Sequence, residues 1–323
     1  MRDLAALPKA HLHVHLESTI RPATLRELAD ANGVAPPGEA QAFTGFRDFA
    51  DYNSLIRACL RTAEDFERVA REFCVDEAGQ GTRYAEVTFT AASHGERLGD
   101  LEMPLVSVLK GLSGGDLETR VLLDHSRRRS VERAERTLRL ALTHDEVVGL
   151  GMAGEERHSL VPFADVFAKA REAGLHLVHH AGEDAGPASI REALDVGHAE
   201  RLGHGIRVLD DPDLVAEVRD RGIALEVCPT SNVVLGLVPS LAEHPLPRLV
   251  GAGLAVTLNT DVPSVTRTTL TDEFATARAT FGYDDTTLAA LAETAVTASF
   301  APEERKTALR EEIAAWLTPA AGA

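Results

Sequence analysis

Four short segments carry the side chains best suited to chemistry: His11-Leu12-His13-Val14-His15, His179-His180-Ala181-Gly182-Glu183, Gly203-His204-Gly205 and Asn259-Thr260-Asp261. Each stands where an apolar, strand-like run ends. In an extended chain residues two apart share a face, so His13 and His15 point the same way. Paired neutral imidazoles suit a divalent metal, and the remaining ligands of such a site arrive from distant sequence. His180 and Asp261 are the candidates. An isolated pair would equally fit a polar strand on which His11, His13 and His15 alternate, but the other three segments favour metal. Three imidazoles and one carboxylate leave a position for water, whose pKa zinc lowers toward neutrality. His204 is placed to accept a proton from that water or to steer it; the plainer alternative is a histidine satisfied within its own turn. Glu183, three residues past His180, is expected at the rim, outside the coordination sphere. A carboxyl kept neutral in a closed pocket there donates to a ring nitrogen or a leaving group. Its alternative role, a charge at the start of a helix near Pro187, suits Asp184 better. The same ligands also suit iron, cobalt or manganese.

These groups need a scaffold that gathers strand ends. Eight β-type runs recur: 9–16, 83–89, 119–124, 147–152, 175–180, 201–204, 223–228 and 254–261. Helical patterns with apolar residues at three and four spacing fill 65–77, 130–143, 160–173 and 211–219. Gly174, Gly222 and Gly253 stand where a helix should stop before the next strand. Strands alternating with helices predict a (β/α)8 TIM-type barrel, whose active site forms at the C-terminal ends of the strands. His13 and His15 then end strand one, His180 and Glu183 strand five, His204 strand six and Asp261 strand eight. Residues 1–323 read as one barrel domain, with a helical insertion at 17–81 and further helices over 271–323. Phe43, Phe46, Phe49, Tyr52, Leu55 and Ile56 in the insertion fit either a lid over the mouth or a subdomain packing its own apolar face.

Composition narrows the classes. The chain has 323 residues, 44% of them hydrophobic, enough for one large core, and carries a net charge of -17 from 33 basic and 50 acidic residues. Such a surface repels phosphate backbones, which argues against nucleic acid as a partner. Cys59, Cys74 and Cys228 show no paired spacing and read as buried thiols in a reducing compartment. No long apolar segment suggests a leader or a membrane span, so a cytoplasmic protein acting on a small molecule is expected. Gly149-Leu150-Gly151-Met152-Ala153-Gly154 satisfies the dinucleotide fingerprint, yet it occupies a strand and is followed by Glu155 and Glu156, which would oppose a pyrophosphate. His179 should face away from the site. Arg127-Arg128-Arg129 reads as a solvated loop or as a cationic rim for an anionic substrate group.

Beyond single residues, the run of HVHL, HAGE followed by GPASIREAL, ERLGHGIRVLDDP, LEVCPTSN, PSLAEHPLP and LNTD, in that order from Leu7 to about Glu273, resembles the adenosine deaminase family of the amidohydrolase superfamily. The resemblance implies one divalent ion, zinc, held by His13, His15, His180 and Asp261. It implies that Glu183 protonates purine N1 while hydroxide adds at C6, that His204 and Asp261 orient and deprotonate the water, and that ammonia leaves. It also assigns Gly154 a backbone contact to purine N3. Three positions depart from the family pattern. Val262 replaces the acid that engages N7, and losing one buried hydrogen bond costs about 1 to 3 kcal/mol. Glu17-Ser18 replaces an Asp-Gly pair at the ribose. Arg267 stands where a small residue is usual. Two substrate readings follow: adenosine or deoxyadenosine with weakened N7 recognition, or a modified purine or other amino-heterocycle whose apolar edge meets Val262 and whose anionic substituent meets Arg267. A barrel that only binds a ligand is a third reading, which the intact set of six metal and catalytic residues disfavours.

Overall fold

The computed structural model describes residues 1–38, 43–115 and 117–318. The Ala/Gly tail after Thr318 lies outside them. Eight strands follow in chain order: β1 (Lys9–His11), β2 (Thr82–Phe89), β3 (Glu118–Ser126), β4 (Val147–Ala153), β5 (His176–Ala181), β6 (Arg201–His204), β7 (Ala224–Val227) and β8 (Val256–Leu258). Each pairs in parallel with the next. A parallel bridge between Val14 and Asp261 brings the last strand back to the first, giving the expected (β/α)8 barrel. Strands such as Val-Val-Gly-Leu-Gly-Met-Ala in β4 are apolar nearly throughout because helices cover one face and barrel packing the other. The glycine-rich fingerprint is therefore strand, with a Cβ on Gly149 coming within 2.8 Å of the His176 carbonyl oxygen across the ladder.

Two strands are shorter than their sequence runs. β1 was expected to reach Leu16 and β8 to reach Asp261, but the ladders stop at His11 and Leu258. The cause is Asn259, whose side-chain oxygen accepts the Leu12 and His13 amides at 2.9 and 3.0 Å in place of a strand carbonyl. Helices begin and end where capping chemistry predicts. Thr62 and Asp65 form a reciprocal capping box at the start of one, and Gly174 and Gly222 leave others with φ of 84° and 66°.

The insertion between β1 and β2 forms α1 (Pro22–Ala31), α2 (Phe46–Ala58) and α3 (Ala63–Gly79). α3 packs on the helix Met103–Leu112, where Gly111 lets the Glu67 carbonyl approach to 2.4 Å of where a Cβ would stand. On α2 the expected aromatic group packs within itself, Phe49 lying 5.6 Å from Phe43 and 6.0 Å from Phe46 between ring centres. Ile56 is buried and Leu55 exposed. At the C-terminus, helices Leu270–Phe281, Asp285–Ala298 and Glu303–Leu317 follow, the second packing against β8 and β1. Cys59, Cys74 and Cys228 are buried free thiols. Among the described residues no helix is long and apolar enough to cross a membrane.

Candidate active site

The seam where β8 meets β1 builds the centre of the site. The Asp261 amide donates to the His13 carbonyl at 3.0 Å, and the His15 amide donates to the Asp261 carbonyl at 2.9 Å. This interlock turns Asp261 inward with φ at 61°, and His204 at the end of β6 has φ at 63°. Non-glycine residues in the left-handed region carry strain that the surrounding structure must hold, a condition frequent at functional sites.

One ligand atom from each of His13, His15, His180 and Asp261 lies within 4.8 Å of the others. His15 Nε2 stands 3.2 Å from His180 Nε2, and Asp261 Oδ1 stands 3.4 Å from His15 Nε2 and 3.6 Å from His13 Nε2. Among the described residues His13 Nε2 is buried with no hydrogen bond of normal length, standing 3.6 Å from Asp261 Oδ1. Ring nitrogens facing one another beside a carboxylate suit a cation, and the donor set fits zinc. The next layer fits as well. His13 Nδ1 is 2.8 Å from Glu226 Oε2, the carboxylate partner that fixes a metal-binding imidazole. Glu226 in turn accepts from Arg201 at 2.6 Å, and Arg201 spans to Glu86 at 2.5 Å. Ser231 donates to Asp261 Oδ2 at 2.6 Å. Burial alone would lower the His13 pKa, but hydrogen bonds and charges from Asp261 and Glu226 outweigh it and raise it to about 10. The carboxylates that favour a proton there equally favour a metal ion in its place. Burial and the neighbouring His13 push His180 well below the ordinary histidine range, leaving it a neutral ligand. Room for the cluster depends on Gly203, where a Cβ would stand 2.8 Å from His13 Cε1 and 3.2 Å from the His180 Cα.

Glu183 is not at the rim, as its spacing from His180 suggested. The turn 182–184 folds back over the strand ends because the Glu156 carboxylate accepts the amides of Gly182, Glu183 and Asp184 at 2.7, 2.7 and 3.0 Å. Glu183 is thereby buried, with Oε1 3.5 Å from His204 Nε2. Burial, then the charge of Asp261, lifts its pKa well above the usual carboxylate range, which favours its protonated form. The tautomer of His204 follows from a relay. The Leu246 amide donates to His244 Nδ1 at 3.1 Å, which leaves the His244 hydrogen on Nε2, facing Asn232 Oδ1 at 3.1 Å. The Asn232 amide then donates to His204 Nδ1 at 3.1 Å, so the hydrogen of His204 sits on Nε2. Burial, reinforced by His13, lowers its pKa to about 3 and keeps the ring neutral.

A cavity of about 350 Å³ opens over these groups. His15, His180, Glu183, His204 and Asp261 line its floor; Glu17, Gly154 and Val262 are in its wall, and Phe46, Phe49 and Arg57 of α2 cover it. Glu17 is held by His94 Nε2 at 3.1 Å and the Thr90 amide at 3.2 Å. Arg267, expected at the substrate, is not there: it lines a separate cavity beside Arg21, Asp76 and Glu77, because the short helix Pro263–Thr266 carries it away from the mouth. The arginine run divides. Arg127 is buried and donates to the His180 carbonyl at 2.5 Å, so it is no solvated residue, whereas Arg128 and Arg129 reach the cavity. His179 is buried on the other side of β5, 2.9 Å from the Gly197 carbonyl.

Several residues central to the site carried no assigned role in the sequence reading: Glu226, Arg201, Glu86, Glu156, Asn259, Ser231 and Asn232. A signal existed for Glu86 and Glu226, each an acid inside a strand too apolar to leave it unpartnered. For Glu156 and Asn259 none did, because their targets are backbone amides.

Known proteins resemble this chain in sequence and fold. The adenosine deaminase family profile matches residues 8–316. An adenine deaminase of Chelativorans sp. (strain BNC1) is 38% identical, over 94% of this chain and 97% of its own. The crystal structure of adenine deaminase from Arthrobacter aurescens superposes with a TM-score of 0.90 at 32% identity, covering 96% of this chain and 99% of that one. An amidohydrolase from Burkhoderia ambifaria, solved with bound Zn, gives 0.87 at 25% identity, covering 97% of this chain and 91% of that one. A match over nearly the whole length, on a barrel whose strand ends gather three imidazoles and a carboxylate beside a buried glutamic acid, places this chain in the adenosine deaminase family, as a hydrolytic deaminase acting on C–N bonds.

Proposed function

We propose that this protein is a zinc-dependent deaminase of a 6-aminopurine, taken as the free base or as a nucleoside, working in the cytoplasm as a single barrel domain with α2 as its lid. The observation that carries the reading is Glu183: a buried carboxyl 3.5 Å from His204, beside the ligand cluster, in surroundings that favour its protonated form. Relatives of this length that act on adenine and a related barrel with bound Zn support substrate and metal. An ion held by His13, His15, His180 and Asp261 supplies Lewis acidity that makes water nucleophilic at neutral pH. As the water oxygen adds to the carbon bearing the amine, an electron pair moves onto the adjacent ring nitrogen, and the Glu183 proton goes to that nitrogen. His204, with its hydrogen on Nε2, donates to the added oxygen and steers it rather than removing its proton. Asp261, pinned by Ser231, is the group left to take that proton. Asp261 then passes its proton to the amine nitrogen, the carbon–nitrogen bond breaks to release ammonia, and the hydroxyl left on the carbon becomes a carbonyl as its proton returns to Glu183.

Val262 favours a second reading, a modified purine or another amino-heterocycle. It is buried in the cavity wall and offers no hydrogen bond. The test is ammonia release by the zinc-loaded protein from adenine, adenosine, deoxyadenosine, modified aminopurines and pterins. Turnover of adenine or its nucleosides is expected; ammonia from another ring alone establishes the second reading, and none from any leaves a barrel that only binds.

A further inference from the structure

Asp124 has no part in the chemistry above, yet it is built into the same cavity. It lies near the end of β3, is 7% exposed, and shares the cavity wall with His15, Glu17 and Gly154. Among the described residues its Oδ1 is buried with no hydrogen-bond partner. Glu17 Oε1 beside it takes the His94 ring and the Thr90 amide, with Arg57 Nε at 3.9 Å. The Asp124 carboxyl feels the charges of His15 and Arg57 and a hydrogen bond from the Thr90 side chain, but Oδ1 itself keeps an open acceptor position. A buried acceptor without a partner costs free energy, and a ligand that brings a donor removes the cost. β3 also stands three strands from β8 around the barrel, so Asp124 faces the cavity from a different side than Val262. Recognition is polar at the β3 wall and apolar at the β8 wall.

We propose that Asp124 is a specificity-determining residue whose free Oδ1 accepts a hydrogen bond from an N–H or O–H of the substrate, so that the site selects aminopurines carrying a donor on the edge that meets β3. This rests on the deaminase reading above. The donor has two sources, a ring N–H of a free base or a hydroxyl of an attached sugar, and one set of substrates separates them. Adenine has a ring N–H, adenosine has sugar hydroxyls, and 9-methyladenine has neither. Values of kcat/KM are measured for all three with the zinc-loaded enzyme and with the variants Asp124→Asn and Asp124→Leu, the second close in size and without an acceptor. Melting temperatures confirm that each variant is folded.

The unaltered enzyme is expected to prefer adenine or adenosine over 9-methyladenine; Asp124→Leu is expected to reduce that preference about tenfold or more, while Asp124→Asn, which keeps a side-chain oxygen acceptor, retains more of it. A collapse of the adenine preference in Asp124→Leu assigns the ring N–H, and a collapse of the adenosine preference assigns the sugar. An Asp124→Leu enzyme that keeps both ratios, whether or not overall turnover falls, overturns the role of Asp124 while leaving the deaminase reading intact. Absence of ammonia from all three substrates with the unaltered enzyme takes both down together.

Discussion

At the scale of single residues, the ligands and Glu183 were legible because their chemistry needs particular side chains at strand ends, while their supports were not, because a support is defined by what it touches. Glu183→Gln keeps the shape of the acid but has no proton to give. Turnover should fall by about two to four orders of magnitude, with zinc content by elemental analysis unchanged. Glu226→Gln removes the charge behind His13 and leaves Arg201 with Glu86 alone. Metal affinity measured by competition with a chelator should drop about 10- to 100-fold. Val262→Asp restores a polar group to the β8 wall, and kcat/KM for adenosine should rise, on the order of tenfold, if purine N7 meets that wall. Arg267 shows the limit of reading by alignment with a pattern: its position after strand eight was right, but a single turn of helix points it elsewhere.

At the scale of elements, strand order and the helices over 63–79, 131–141, 164–172 and 212–220 followed from apolar periodicity and from residues such as Gly174 and Gly222 whose backbone chemistry is local. The shortening of β1 and β8 was not legible, since a side chain, Asn259, substitutes for backbone acceptors from a strand far away in sequence. A second long-range feature sets a pH dependence. Glu273 on the helix Leu270–Phe281 is fully buried, accepts the Thr230 amide at 3.3 Å, and has its pKa raised by burial from 4.5 to about 8. The folded state therefore holds this proton where the unfolded chain has released it, and stability declines as pH rises from about 4.5 to 8. Glu273→Gln abolishes that term. Its melting temperature relative to the parent should increase steadily between pH 5 and pH 8.5; a difference independent of pH would show that Glu273 titrates normally.

At the scale of the whole molecule, the candidate ligands follow β1 and β8 and end β5, so a bound ion would tie opposite sides of the barrel together. Binding at a thousand times Kd contributes about 4 kcal/mol, so chelation should lower the melting temperature by several degrees and added zinc should restore it. The overall fold was legible because eight similar units repeat; the role of the insertion was less so, since α2 both packs aromatic rings against one another and lines the cavity. The seam has a consequence for how the protein comes into being. Asn259 and Asp261 fasten the first strand to the last through one side-chain oxygen and one peptide unit, and the carboxyl of that same Asp261 belongs to the ligand cluster. Closing the ring of strands and completing the cluster therefore depend on the same short segment, so a chain cut before residue 259 should have neither.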